Sequence, residues 1–104
     1  MHARIAKYSY TGDVQELART AEEGLLPIFQ AQPGFKAYSV IDLGGTILSF
    51  SAWESAEAAD AANAAAADWV AANLADKVEL KNSHIGEILF GTALGVSTLA
   101  GARA

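Results

Sequence analysis

Apolar and polar positions alternate along the chain in short blocks whose period switches between two and about 3.6, the periods of strand and helix. Residues 3–11 carry Ile5, Tyr8 and Tyr10, which suit a strand, and Gly12 ends the run. Asp13, followed three residues later by Glu16, reads as a helix start. Val14, Leu17, Ala21, Leu25 and Ile28 then recur at helical spacing, and Pro27 is expected to kink or tighten the last turn. Pro33-Gly34 closes this segment as a turn. Residues 35–43 and 46–53 read as the two arms of a hairpin joined by Gly44-Gly45, since glycine takes positive φ without steric cost. Strict alternation places Phe35, Ala37, Ser39 and Ile41 on one face of the first arm and Tyr38 and Val40 on the other, so both faces are largely apolar. Ser55 caps a second helix from Ala56 to about Ala75, with Glu57 near the positive end of its dipole. Alanine dominates it, while Trp69, Val70 and Leu74 argue for a packed helix over a linker. A polar connection through Asn82-Ser83 follows, then a last strand over 84–90 with Ile85, Ile88, Leu89 and Phe90. Residues 91–104 are small and glycine-broken, and read as an edge segment, a segment lying on a partner subunit, or a disordered tail.

The order β-α-β-β-α-β predicts an α+β, ferredoxin-like domain over residues 1–90: a four-stranded antiparallel sheet with both helices on one face. The opposite sheet face is too apolar to be left to water, and a second copy related by a two-fold axis would cover it, giving a homodimeric α/β barrel. Composition agrees with this picture. The chain has 104 residues, enough for one domain, with 52% hydrophobic and only 18% charged residues. So few charges are consistent with a buried subunit interface, although abundant alanine also raises the apolar share. The net charge of −5 and the lack of any basic cluster argue against nucleic acid. The absence of cysteine excludes disulfides, thiolate metal sites and thiol nucleophiles. Met1-His2-Ala3-Arg4 leads straight into strand-like sequence, and the longest apolar stretch is mostly alanine broken by Asp and Asn, so a cytoplasmic protein with no membrane span is expected.

Two stretches carry a resemblance. Gln32-Pro33-Gly34-Phe35-Lys36-Ala37-Tyr38-Ser39-Val40, followed by Ser49-Phe50-Ser51-Ala52-Trp53-Glu54-Ser55-Ala56-Glu57-Ala58-Ala59, resembles the dimeric α/β-barrel superfamily, and within it the antibiotic-biosynthesis-monooxygenase-like proteins. The likeness covers roughly residues 3–90. Its motifs are a turn, a strand aromatic and a helix cap, so they speak for fold more than for reaction. The resemblance implies a cofactor-independent monooxygenase acting on a small aromatic or polyketide-like molecule, in which the substrate itself reacts with oxygen. A full Asn, Trp and Tyr or Arg catalytic set does not match residue by residue. The haem-degrading branch uses a histidine on a helix, and the second helix here has none.

The residues offer few candidates for chemistry. Asn63 shares a helical stripe with Ala59, Ala66, Val70 and Leu74, where an amide must find partners or pay for desolvation; it faces a pocket or bonds a nearby carbonyl. His84, at the start of the expected last strand, is the one histidine outside the N-terminus and the one group whose ordinary pKa suits a general base near neutrality, unless it is simply a surface histidine. In the reaction that the resemblance implies, Asn63, His84 and a tyrosine would position and deprotonate an acidic substrate hydroxyl. Tyr8, Tyr10, Tyr38, Trp53 and Trp69 are candidates to wall an aromatic ligand, against the plainer reading that strand aromatics belong to the core. No second histidine stands at metal-ligand spacing, so no metal is expected, and the resemblance implies that no cofactor is needed. Two other readings remain open: a non-catalytic ligand-binding or stress-associated barrel, and an interaction module whose pocket is filled by its own side chains.

Overall fold

The computed structural model describes residues 1–97 of the chain. Element order is β1 (His2–Tyr10), α1 (Val14–Gln30), β2 (Phe35–Asp42), β3 (Thr46–Trp53), α2 (Ala56–Asn73), β4 (Val78–Glu87) and a short terminal pair, β5 (Phe90–Gly91) with β6 (Val96–Ser97). The first four long strands form one antiparallel sheet in the order β2-β3-β1-β4. This is the ferredoxin-like α+β arrangement that the element order predicts.

Local chemistry explains the element ends. The Asp13 carboxylate accepts from the Gln15 amide at 2.8 Å, and the Ser55 hydroxyl accepts from the Ala58 amide at 3.1 Å. Pro27 sits in the last turn of α1, which continues to Gln30. Gly44 and Gly45 take φ of +80° and +90° in the hairpin turn. The Asp42 carboxylate anchors that turn by accepting from the Gly44 amide and the Tyr10 hydroxyl.

Pairing register assigns the faces. Arg4, Ala6 and Tyr8 lie opposite Ser51, Ser49 and Ile47 of β3, and Tyr38 and Val40 of β2 continue these rows toward α1. Above them sit Leu17, Ala21, Leu25 and Phe29 of α1 and Ala59, Ala62 and Ala66 of α2, all buried. Phe29 is the hub of the core, edge-to-face with Tyr38 at 4.9 Å and with Trp53 at 5.2 Å between ring centroids. The other sheet face carries Ile5, Leu48, Phe50, Ile41 and His84, with Ile5 and Ile41 exposed.

Two irregularities depart from the sequence reading. A bulge between Phe35 and Ala37 brings Phe35 onto the helix side with Trp53, where the rings meet at 5.4 Å, so Phe35 does not share a face with Ala37 and Ile41. The last sheet strand is Val78–Glu87, not 84–90. A register shift between Lys7 and Tyr8 drops Lys81 from the pairing, putting Leu80 opposite Tyr8 and Ser83 opposite Ala6. The apolar period therefore changes phase mid-strand, and the edge position leaves most of its side chains in water, so the segment resembles a polar loop when read linearly. The β5–β6 hairpin begins at Phe90, one residue before the expected tail, and takes in 91–97, while 98–104 lie outside the described residues. Among the described residues no helix is long and apolar enough to cross a membrane.

Candidate functional site

Across the centre of the helix-facing sheet, one row of positions is small: Ser49, Ala6 and Ser83. The rows on either side are large, with Tyr38 and Arg4 in one and Ile47 and Tyr8 in the other. Ala6 lets the Arg4 side chain lie along β1, so that its Nη2 donates to the Tyr8 hydroxyl at 3.1 Å. Its Nε donates to Asn63 Oδ1 at 2.7 Å, and the Ser83 hydroxyl donates to the same oxygen at 3.0 Å. Asn63 is thus the α2 side chain that hydrogen-bonds to the sheet, and the alanines flanking it on the buried face allow the close approach. Arg4 is 2% exposed, and its Nη1 is buried without a hydrogen-bond partner. The ion pairs among the described residues, Lys36–Glu54 and Lys81–Glu79, involve neither Arg4 nor any buried side chain.

Beside this network, α1 and α2 part over the sheet and leave a cavity of about 30 Å³, room for a water or two. Tyr8, Tyr38 and Ser49 form its floor, Leu17, Ala21 and Leu25 of α1 one wall, and Trp69, Val70 and Leu74 of α2 the other. Trp69 lies directly against Gly24, where any β-carbon would collide with its ring. On the far side of Tyr38 and Val40 an open groove of about 350 Å³ runs along α1, lined also by Gln15, Arg19 and Glu22.

The floor is polar but poor in titratable chemistry. Burial pushes the Tyr38 phenol up to about 12; the Ser49 hydroxyl pulls the other way, Tyr8 adds a little upward and Arg4 a little downward. Ser49 Oγ is buried and meets no hydrogen-bond geometry, so its effect on Tyr38 is that of a close dipole and not of a formed bond. Tyr38 is therefore neutral at any ordinary pH.

The fold separates the residues singled out from sequence. Tyr8, Tyr38 and Trp69 come together around the cavity. Tyr10 stands at the hairpin turn, bonded to Asp42 at 3.2 Å, and Trp53 is fully buried with its Nε1 donating to Ser51 Oγ at 2.9 Å; neither lines the cavity. Asn63 does not line it either; it bonds Arg4, which in turn bonds Tyr8 of the cavity floor. His84 pairs with Ile5 on the opposite sheet face, while its neighbour Ser83 faces Asn63, so the fold does not bring His84 and Asn63 to one site. Sequence reasoning passed over Arg4, Ser49 and Ser83. A signal existed for the first: Arg4 is a charge in the same two-residue register as Ala6 and Tyr8, the inward face of the strand. Among the described residues no three His, Asp or Glu side chains gather in a metal-binding group.

Comparison with solved structures agrees with this architecture. SnoaB, a cofactor-independent oxygenase from Streptomyces nogalater, superposes with a TM-score of 0.68 over 88% of this chain and 95% of its own, at 14% sequence identity. A protein of Nitrosomonas europaea assigned as an antibiotic biosynthesis monooxygenase gives 0.66 over 86% of this chain and 100% of its own, at 18% identity. A protein of Chloroflexus aurantiacus with the same assignment gives 0.64 over 90% and 98%, at 19% identity. The fold is that of the antibiotic-biosynthesis monooxygenases. At these identities the likeness to the antibiotic-biosynthesis monooxygenases is one of fold. No family model matches the chain, and no curated protein matches it by sequence.

Proposed function

We propose that the protein is a cofactor-independent monooxygenase that takes a small aromatic or polyketide-like molecule between its helices and its sheet. The observation that carries the reading is the buried Arg4–Asn63–Tyr8 network, bordering an otherwise apolar cavity in this fold. In such a reaction a substrate CH₂ becomes C=O: one atom of O₂ enters the product, and the other leaves with the two hydrogens as water. The substrate supplies all four electrons, so no external reductant is needed. The rate depends on reaching the substrate anion, and an apolar enclosure with a fixed positive charge favours it. No imidazole or carboxylate lines the cavity, so the proton leaves to solvent and the substrate must itself be acidic. Asn63 is a positioning residue in this scheme, holding the guanidinium in place through Nε.

Oxygen uptake with an anthrone as substrate tests the reading. Quinone should form with one O₂ consumed per turnover. Asn63→Ala should lower kcat at least tenfold with a smaller change in KM, since the guanidinium loses its aim and not the pocket its shape. Absence of turnover across anthrones and quinols, with the protein folded and ligand bound, would leave the second reading, a non-catalytic binder. The small volume of the cavity favours that alternative.

The same proposal includes a homodimer. Ile5, Ile41, Leu48 and Phe50 make the uncovered sheet face apolar across three strands, and a second copy packing face to face would bury it and complete a barrel.

A further inference from the structure

On the sheet face that the helices leave uncovered, pairing register puts Ser39, Phe50, Ile5 and His84 in one row, one residue from each strand. The next row toward the hairpin turn holds Ile41, Leu48, Lys7 and Asn82, and the row on the other side holds Ala37, Ala52, Ala3 and Gly86. His84 is the ionisable member of its row. Its side chain is exposed in the single chain, as is Ile5 beside it. Paired strands stand only about 4.8 Å apart, so whatever covers Ile5 covers His84 as well.

The face suits a second copy. Strands β2 and β3 have eight residues each. Four strands of that length present roughly 500 Å² in projection, and two such faces bury on the order of 1,000 Å² or more, which reaches the range of a specific interface. In a two-fold contact each face meets only the groups that it also carries. Those groups are poor in charge. Lys7 lies diagonal to His84 and is half-buried. The carboxylate on this side, Glu79, stands beyond Lys7 in the row of Ser9, in water and paired with Lys81. Arg4, and His2 with Glu87, fall in the alternate register on the helix side. The β5–β6 hairpin that follows β4 has no ionisable side chain.

A neutral imidazole can enter such an interface. An imidazolium would enter it beside Lys7, with no carboxylate in its own row or the rows flanking it, at the desolvation cost of an unpaired charge. Imidazole is the side chain that ordinarily takes up its proton just below neutral pH. We infer that His84 makes closure of the barrel depend on pH: two copies pair while their imidazoles are neutral and separate when these are protonated. The inference rests on reading this face as a homodimer interface, and it adds the condition under which that interface holds. The separated subunits bind protons that the dimer excludes, so the dimer is favoured above the titration and weakens as pH falls through it. A two-fold interface carries two such histidines, so complete exclusion raises Kd by up to about a hundredfold per pH unit.

Sedimentation equilibrium of the full-length protein at constant ionic strength, from about pH 7.5 to about pH 5.5, tests the switch. The wild-type dimer Kd should rise at least tenfold over that range. His84→Gln, which keeps a polar side chain that cannot charge, should dimerise within about threefold of the wild type at the upper pH and stay within threefold down to the lower one. His84→Lys carries the charge at every pH, and should be a folded monomer at about pH 7.5 where the wild type pairs. A wild-type Kd that is flat or falls on acidification, a rise that persists in His84→Gln, or a His84→Lys dimer of wild-type affinity would each overturn the switch. Acid unfolding is kept apart by the second of these, since His84→Gln retains every carboxylate. A wild-type dimer with a flat Kd removes the switch alone, whereas a wild-type monomer at about pH 7.5 removes the homodimer and the switch with it.

Discussion

Asn63 and Arg4 show how differently two polar residues read in a sequence and in a fold. Asn63 stands out because a helical stripe of alanine makes any amide conspicuous. Arg4 hides among exposed-looking residues near the N-terminus, yet it is the more deeply buried of the two. The link between them spans 59 residues and depends on which strand lies beneath α2. Tyr38 yields a prediction at this scale. Its phenol is raised to about 12, so the folded state holds its proton after the unfolded chain has lost it. Stability from this group is fully present below about pH 10 and falls as pH rises toward 12, by roughly 1.4 kcal/mol per unit at most. Urea midpoints of the wild type between pH 9 and 11.5 should fall more steeply than those of Tyr38→Phe; parallel curves would mean that the phenol is not buried as described.

Among the elements, α2 departs furthest from the ordinary amphipathic helix. Ala59, Ala62 and Ala66 are fully buried, so its contribution is closeness more than hydrophobic area. That closeness is what lets a short asparagine reach Arg4. Enlarging the contact should therefore cost stability and function together. Ala62→Leu is expected to destabilise by about 1–3 kcal/mol through overpacking, seen as a lower thermal midpoint, and to loosen the Asn63–Arg4 bond. The α1–α2 contact has a sharper version. Gly24 is in a helix, where alanine would normally help, but a β-carbon there strikes the Trp69 ring. Gly24→Ala should thus lower the midpoint and shift the tryptophan emission; a gain in stability would show that Trp69 turns aside freely. The helices and the β2–β3 hairpin were legible in the sequence because caps, glycine pairs and periodicity are local signals. β4 was not, since its bulge breaks the period and its polar residues face solvent at a sheet edge.

For the whole molecule, the two faces of the sheet divide the work. The helix side holds the cavity and its buried charge, and the other side holds an apolar surface on which His84 also stands. Ile5 and Ile41 are exposed in the single chain, so a charge there costs the isolated fold little. In a face-to-face dimer the same charge is buried against carbon. Ile5→Lys combined with Ile41→Lys should give a folded monomer by sedimentation at micromolar concentration, where the wild type is expected to sediment as a dimer. A wild-type monomer under these conditions would refute the barrel.

What the sequence determined by itself was whatever rests on near neighbours: two capped helices, a Gly-Gly hairpin, their order, and hence the ferredoxin-like sheet with one face in need of cover. Those features depend on backbone propensity and on the alternation of side chains within a few residues. Only the tertiary structure decided which polar groups meet. Register placed Ser83 rather than His84 beneath Asn63, a two-residue strand repeat ran Arg4 over Ala6 to Tyr8, and the packing of α2 on β1 removed that guanidinium from water. Burial of a charge is a property of everything packed around it, and no stretch of sequence contains all of those neighbours.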